Sequence, residues 1–176
     1  AEEIGFRDGD ILLSADDKPL TRFDVDMLRA VAEAHVIKVN RGGLETEIFM
    51  PEVSLLDIAK DNPPFVEPLM PNVVDSVIVG MPFEKAGLQK GDSLLAVNGK
   101  TVGSWNTFLY EMAALQADAE AEGKGNAALD IVYSRNGLRD TVSLQTDSLY
   151  KVGVLKNALS YKQTRLSYGF FESFPA

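Results

Sequence analysis

Cysteine is absent and histidine occurs once, at His35. Without thiols there is no disulfide framework and no thiolate metal site, and composition leaves the redox compartment unread. One imidazole cannot supply the His-Glu-x-x-His helix of a zinc protease, and nothing around His35 arranges a serine triad. At a helix-to-strand junction, His35 reads as a structural or solvated residue. Basic residues are also short: 17 Lys and Arg face 26 Asp and Glu, a formal charge of -9. That balance disfavours nucleic acid, whose affinity comes largely from cations on phosphates, and adsorption on anionic lipid. Long apolar runs are missing too. The best candidate, residues 73–83, is broken by Asp75, Gly80 and Pro82, far short of the ~20 residues a membrane helix needs.

Other chemistry is excluded by pattern. The pairs Glu2-Glu3 and Asp16-Asp17 fall at a terminus and a turn, where solvated surface is the simpler reading. Asp118, Glu120 and Glu122 lack the ligand spacing and glycine of a calcium loop. The two Gly-Asp pairs lack the glycine-rich run and Lys-Ser/Thr of a phosphate loop. Ser76 and Ser93 read as strand and turn residues.

What is present is one block written twice. Residues 4–20, IGFRDGDILLSADDKPL, align with residues 86–102, AGLQKGDSLLAVNGKTV, at an offset of 82. Gly5/Gly87, Gly9/Gly91, Asp10/Asp92, Leu12/Leu94, Leu13/Leu95 and Lys18/Lys100 coincide, and Phe23 falls on Trp105. Further on, residues 41–44 (RGGL) align with 135–138 (RNGL) at an offset of 94, so the second copy carries 12 extra residues. A repeat of this length means two copies of one small domain, and an apolar share of 45% allows each a core. Each block reads as a helix turn stopped by glycine, a Gly-Asp turn, a short strand (11–15 or 93–97) and a second turn.

Beyond the blocks, Thr21 is the expected cap of a helix over 21–34, with Phe23, Met27 and Val31 on one face. Strands are expected at 36–40 and 44–50 around Gly42-Gly43. Four prolines, Pro63, Pro64, Pro68 and Pro71, mark a junction. In the second copy, strands are expected at 73–79, 129–135, 138–144 and 149–156. A helix capped by Ser104 is expected over 105–117, with Trp105, Leu109 and Met112 as its stripe and Phe108 and Leu115 beside it. The insertion, about 117–126, lengthens this helix and adds a loop. The tail, 159–176, is rich in Tyr and Phe without periodicity.

The stretch EKAGLQKGDSLLAVNGKTVGSW, residues 84–105, resembles a bacterial PDZ domain, and both copies fit. The tail YKQTRLSYGFFESFPA after such a pair is similar to the segment following the tandem PDZ region of regulator-of-sigma-E proteases, a site-2-type family of intramembrane zinc metalloproteases. The resemblance implies a mainly β, α+β fold. It implies two tandem, circularly permuted PDZ-like domains at 1–70 and 71–158, the first lacking its opening strand, and a connector at 159–176. It implies a periplasmic region of a bacterial inner-membrane protein. The chain would be an inert piece with no cofactor of its own, and zinc would be held elsewhere in a membrane-embedded parent. Implied partners are extended or C-terminal peptide segments of membrane-protein substrates such as anti-sigma factors, not nucleic acid.

In that family the last strand of each domain forms the groove, often with a Gly-Ile-like pair. Gly153-Val154 in KVGVLKN matches, which makes Lys151, Val152, Gly153, Val154 and Leu155 one wall of the expected groove. Phe108 and Met112 supply the other. The first copy has Phe65-Val66 in PPFVEP, without the glycine. The PDZ pair of an HtrA-like periplasmic serine protease and a non-enzymatic envelope scaffold are the alternatives.

Overall fold

The computed structural model describes residues 2–51 and 65–156. Pro63, Pro64 and the tail at 159–176 lie outside the described residues. The fold is mainly β with short helices, in two compact units, Ala1–Leu69 and Met70–Ala176.

The first unit opens with a 3-10 turn, Glu2–Ile4, stopped by Gly5 at φ 110°. Strands β1 (Ile11–Ala15), β2 (Lys18–Pro19), β3 (Val36–Arg41) and β4 (Leu44–Phe49) form an antiparallel sheet in the order β2-β1-β3-β4. Helix α1 (Val25–Glu33) crosses between β2 and β3. Its cap is Asp24, whose carboxylate accepts the Met27 N–H at 2.9 Å. Thr21 was the expected cap, but the chain does not become helical until Val25. Phe23 therefore precedes the helix and is half exposed, while Met27 and Val31 carry the buried face. Ile37, Val39 and Ile48 from the sheet close the core with them, and Phe65 packs edge-on against Phe6 at 5.6 Å.

The second unit adds a pair of strands to the same plan. Its first strand, β5 (Val74–Val77), leads to α2 (Pro82–Lys85). Helix α2 ends at Gly87, φ 81°, with the Leu88 N–H returning to the Phe83 carbonyl, the left-handed helix stop expected of this glycine. Strands β6 (Ser93–Val97), β7 (Lys100–Thr101), β8 (Ala128–Arg135) and β9 (Leu138–Gln145) then form a sheet ordered β7-β6-β8-β9. Helix α3 (Trp105–Ala121) crosses before β8, capped as expected by Ser104. It runs four residues past the expected end, into the inserted segment. The last strand, β10 (Val154–Lys156), pairs antiparallel with β5.

Every strand pairing of the first unit recurs in the second. Leu12 opposite Val39 becomes Leu94 opposite Tyr133; Ala15 opposite Ile37 becomes Val97 opposite Ile131. Both first strands skip one residue, Leu13 or Leu95, as a bulge. The bulged carbonyl then accepts an N–H from Leu20 or Val102, each at 2.8 Å. The 12 inserted residues leave this register untouched.

One ion pair is also repeated. The Arg41 guanidinium grips the Asp10 carboxylate with two bonds, at 2.8 and 2.6 Å, and donates to the Gly5 carbonyl at 2.7 Å. Arg135 does the same to Asp92, both bonds at 2.7 Å, and to the Gly87 carbonyl at 2.8 Å. Asp92 is wholly buried, and the Asp10 side chain is 4% exposed. Each carboxylate also accepts a turn amide, from Arg7 or Gln89. A fork-to-fork pair of this kind satisfies a carboxylate that would otherwise be costly to bury.

Arg135→Leu leaves the Asp92 carboxylate buried without its cation, a loss of about 3 kcal/mol; denaturant unfolding should show it, and a change below 0.5 kcal/mol would rule the clamp out as a support. In the first unit, the Arg41 hydrogen bonds hold the Asp10 carboxyl below its usual range. A depressed carboxylate contributes fully above its unfolded value, and the contribution is lost as pH falls through the lower folded value. Thermal melts of the first unit should therefore weaken below about pH 4, and Asp10→Asn should flatten that dependence.

Candidate functional site

Helix α3 presents Trp105, Phe108, Met112 and Leu115 to the core of the second unit, a spacing of three, four and three residues. Trp105 is buried, as its place in the expected stripe requires, but Leu109 is 44% exposed and Phe108 takes its inward position at 1%. The Phe108 ring lies 5.2 Å from Trp105 and 6.1 Å from Phe83. Phe108 thus belongs to the packed layer beneath any groove on this side, and the partly buried Met112 is the nearer surface. Val152 is buried in the same cluster, and Val154 packs on its edge.

The approach to β10 is built by Asp147. Its carboxylate accepts the N–H groups of Leu149 at 2.9 Å and Lys151 at 2.8 Å. Its own N–H donates to the Lys151 carbonyl at 2.9 Å, and its carbonyl accepts the Tyr150 N–H at 3.0 Å. Residues 149–153 are therefore a tight turn, and the strand expected over 149–156 shortens to Val154–Lys156.

Next, the Val152 carbonyl accepts the Phe83 N–H at 2.9 Å, and the Gly153 carbonyl accepts the Ile78 N–H at 2.7 Å. Among the described residues, the N–H groups of Val152 and Gly153 find no acceptor. The backbone explains why. Gly153 sits at φ 75°, which turns its N–H off the ladder while its carbonyl stays on. Val154, opposite Val77, is the next pair along. In an antiparallel ladder, neighbouring residues direct their backbone groups to opposite sides, so the Val154 N–H and C=O face away from β5. No described strand pairs with that side of β10.

Among the described residues this leaves β10 with an unpaired edge that begins with two amides lacking an acceptor, and Val154 packs on the same core as Met112. Lys151 and Leu155 are exposed on either side of the buried Val152 and Gly153. In the first unit, Phe65 is buried on Phe6 and Val66 is partly buried against the same core. No comparable glycine turn stands among the described residues there.

His35 and Asp16 form a different kind of contact. The Asp16 carboxylate accepts the N–H groups of His35 and Val36, both at 2.9 Å, with the His35 Nδ1 3.3 Å away. The Val36 amide foremost, with the His35 ring, holds that carboxyl below its usual value. Asn98 makes the matching turn-to-strand link in the second unit, accepting from the Asp130 N–H at 2.7 Å, so this is a fold contact. Among the described residues, no three His, Cys, Asp or Glu side chains converge as a metal site would require.

Residues 73–117 match the PDZ domain family. The match covers β5, α2, β6, β7 and the first three turns of α3, and stops short of β10. The chain is also 28% identical, over 109 residues, to a Lactococcus lactis protein named "Putative zinc metalloprotease". That alignment covers 60% of this chain and 23% of the relative, so the chain corresponds to about a quarter of the protein it resembles. Part of the second unit thus matches the PDZ domain family, and the chain is similar to about a quarter of that relative.

Gly153 is required twice over. A Cβ added there would lie 2.1 Å from the Met81 Cβ, an atom no rotamer change can move aside. The left-handed backbone adds about 1–2 kcal/mol for any residue with a side chain. Gly153→Ala should lower the melting temperature of the second unit by several degrees in calorimetry; an unchanged midpoint would contradict the turn described.

Proposed function

We propose that this chain is the peptide-recognition region of a membrane-embedded zinc metalloprotease. It lies on the extracytoplasmic side and selects substrates before intramembrane cleavage. The observation that carries this reading is the open edge of β10, entered through the Val152 and Gly153 amides. An extended peptide can add itself to such an edge as a further strand, with main-chain hydrogen bonds supplying affinity and adjoining pockets supplying selectivity. A terminal carboxylate suits the turn, since two N–H groups with no acceptor among the described residues can both donate to it.

The roles follow from position. Val152 and Gly153 present amides, Val154 presents one N–H and one C=O to the incoming strand, and Gly153 sets the angle between them. Lys151 places a cation beside the turn. Met112 and Val154, both packed on the second core, border the apolar side, and Phe108 supports it from below. Phe65 and Val66 would take the corresponding place in the first unit. Phe65 is already packed on Phe6, which favours the second unit as the working groove.

No step of peptide hydrolysis belongs to these residues. In this reading zinc is bound by parts of the parent protein outside this chain, and the relative's name favours that parent over an HtrA-like serine protease. Ligands would be extended or C-terminal segments of membrane-protein substrates, presented as the groove is, outside the bilayer.

A pool of labelled peptides with randomised C-termini tests the proposal. Val154→Asp sets a charge in an apolar groove without a partner, at a desolvation cost. A Val154→Asp chain with an intact circular dichroism spectrum should bind the pool at least tenfold more weakly, roughly the loss expected for one unpaired polar group. Unchanged binding, with loss instead on substitution of Val66, would move the site to the first unit.

A further inference from the structure

Tyr150 stands out within the amide turn. It has a side chain yet sits at φ 58°, in the left-handed region, a conformation that costs roughly 1–2 kcal/mol and persists only where neighbours hold it. What holds it is at the far end of α3. That helix closes on Gly123, φ 70°, with the Gly123 N–H returning to Glu120 and the Lys124 N–H to Ala119, the paired bonds of a glycine-terminated helix. The carbonyl of Lys124, the next group out, accepts the hydroxyl of Tyr150. A second tie lies beside it: the buried Thr146 hydroxyl accepts the Ala127 N–H at 2.9 Å, and the Thr146 N–H donates to the Ala127 carbonyl at 2.9 Å. The turn that carries the Val152 and Gly153 amides is thus fastened to the segment leaving α3.

Lys124 falls within the 12 residues that the second copy has and the first lacks. In the first unit α1 ends at Glu33 with an extended Ala34, and no described residue plays the part of Tyr150. The insertion, the glycine helix stop and the left-handed tyrosine therefore occur together, in the unit whose strand edge is open.

We propose that Tyr150 is a positioning residue for the groove. Its hydroxyl joins the amide turn to α3, so that the Val152 and Gly153 N–H groups are aimed at the carboxylate position before a peptide arrives. This rests on the peptide-groove reading above. Released from Lys124, Tyr150 relaxes to an ordinary backbone conformation, and the peptide planes that follow it rotate. Peptides with a free carboxylate lose affinity. Peptides ending in an amide, which never had the charge to offer, do not.

The test uses the full chain and one fluorescein-labelled pool of heptapeptides with three randomised C-terminal residues, prepared both as free acids and as amides. The parent should prefer the acids by about tenfold, the scale of one charge-assisted hydrogen bond. Tyr150→Phe keeps the ring and removes the tie; it should bring the acid-to-amide ratio close to one and leave amide binding within about twofold. Tyr150→Asn, which accepts the left-handed backbone readily but cannot reach Lys124, should do the same. If the parent prefers acids and both variants keep that preference, the positioning role is overturned and the groove stands. If the parent shows no preference, or binds neither pool, the groove reading fails and the latch with it. If neither variant folds, Tyr150 is scaffold and the proposal is wrong.

Discussion

A carboxylate removed from water must be neutralised by a partner or it opposes folding, and each unit of this protein is assembled around one such group. Asp10 and Asp92 sit at the start of the first sheet strand, and the arginine that answers each arrives from the tip of a hairpin some 30 to 45 residues later in the chain. The same guanidinium reaches the carbonyl of the glycine that stops the preceding helical turn. The helical stop, the strand start five residues on and the distant hairpin are therefore fixed to each other by one side chain. In the second unit this fixes α2, and α2 in turn receives Val152 through the Phe83 amide. The candidate groove inherits part of its geometry from this pair.

Much of that frame could be read from the residues. The Gly-Asp blocks announce the duplication, and Arg41 and Arg135 fall on equivalent places in the aligned copies. Strands β1 and β6 lie where their apolar runs put them, since a strand bounded by two turns has little room to slip. What escaped the sequence were choices decided by neighbours. Thr21 and Asp24 are both good caps, and only packing determined which one the helix used. Leu109 and Phe108 are adjacent, so a small rotation of α3 exchanged them; the aromatic won the interior by stacking between Trp105 and Phe83.

The groove was legible in part. Gly153 marked the turn, but its need for φ 75° and its close approach to Met81 are tertiary facts. Asp147 carried no signal at all: one aspartate among many, it organises the loop only because four backbone groups converge around it. The difference between the two units was visible as Gly153-Val154 against Phe65-Val66. Its meaning became physical once Phe65 was found closed against Phe6, with its ring already committed to the core.

The matched bulges at Leu13 and Leu95 bear on how such a chain can change length over time. Side chains alternate faces along a strand, so a one-residue deletion keeps the register only where it removes a bulge, and elsewhere in the strand turns everything beyond it inside out. The end of α3 and the segment that leads from it to β8 have no such parity to keep, and the second copy has already absorbed 12 residues there with its strand pairing intact. In-frame insertions and deletions should therefore accumulate at the helix ends and be purged from the first strand of each sheet, leaving domains of unequal size with identical registers.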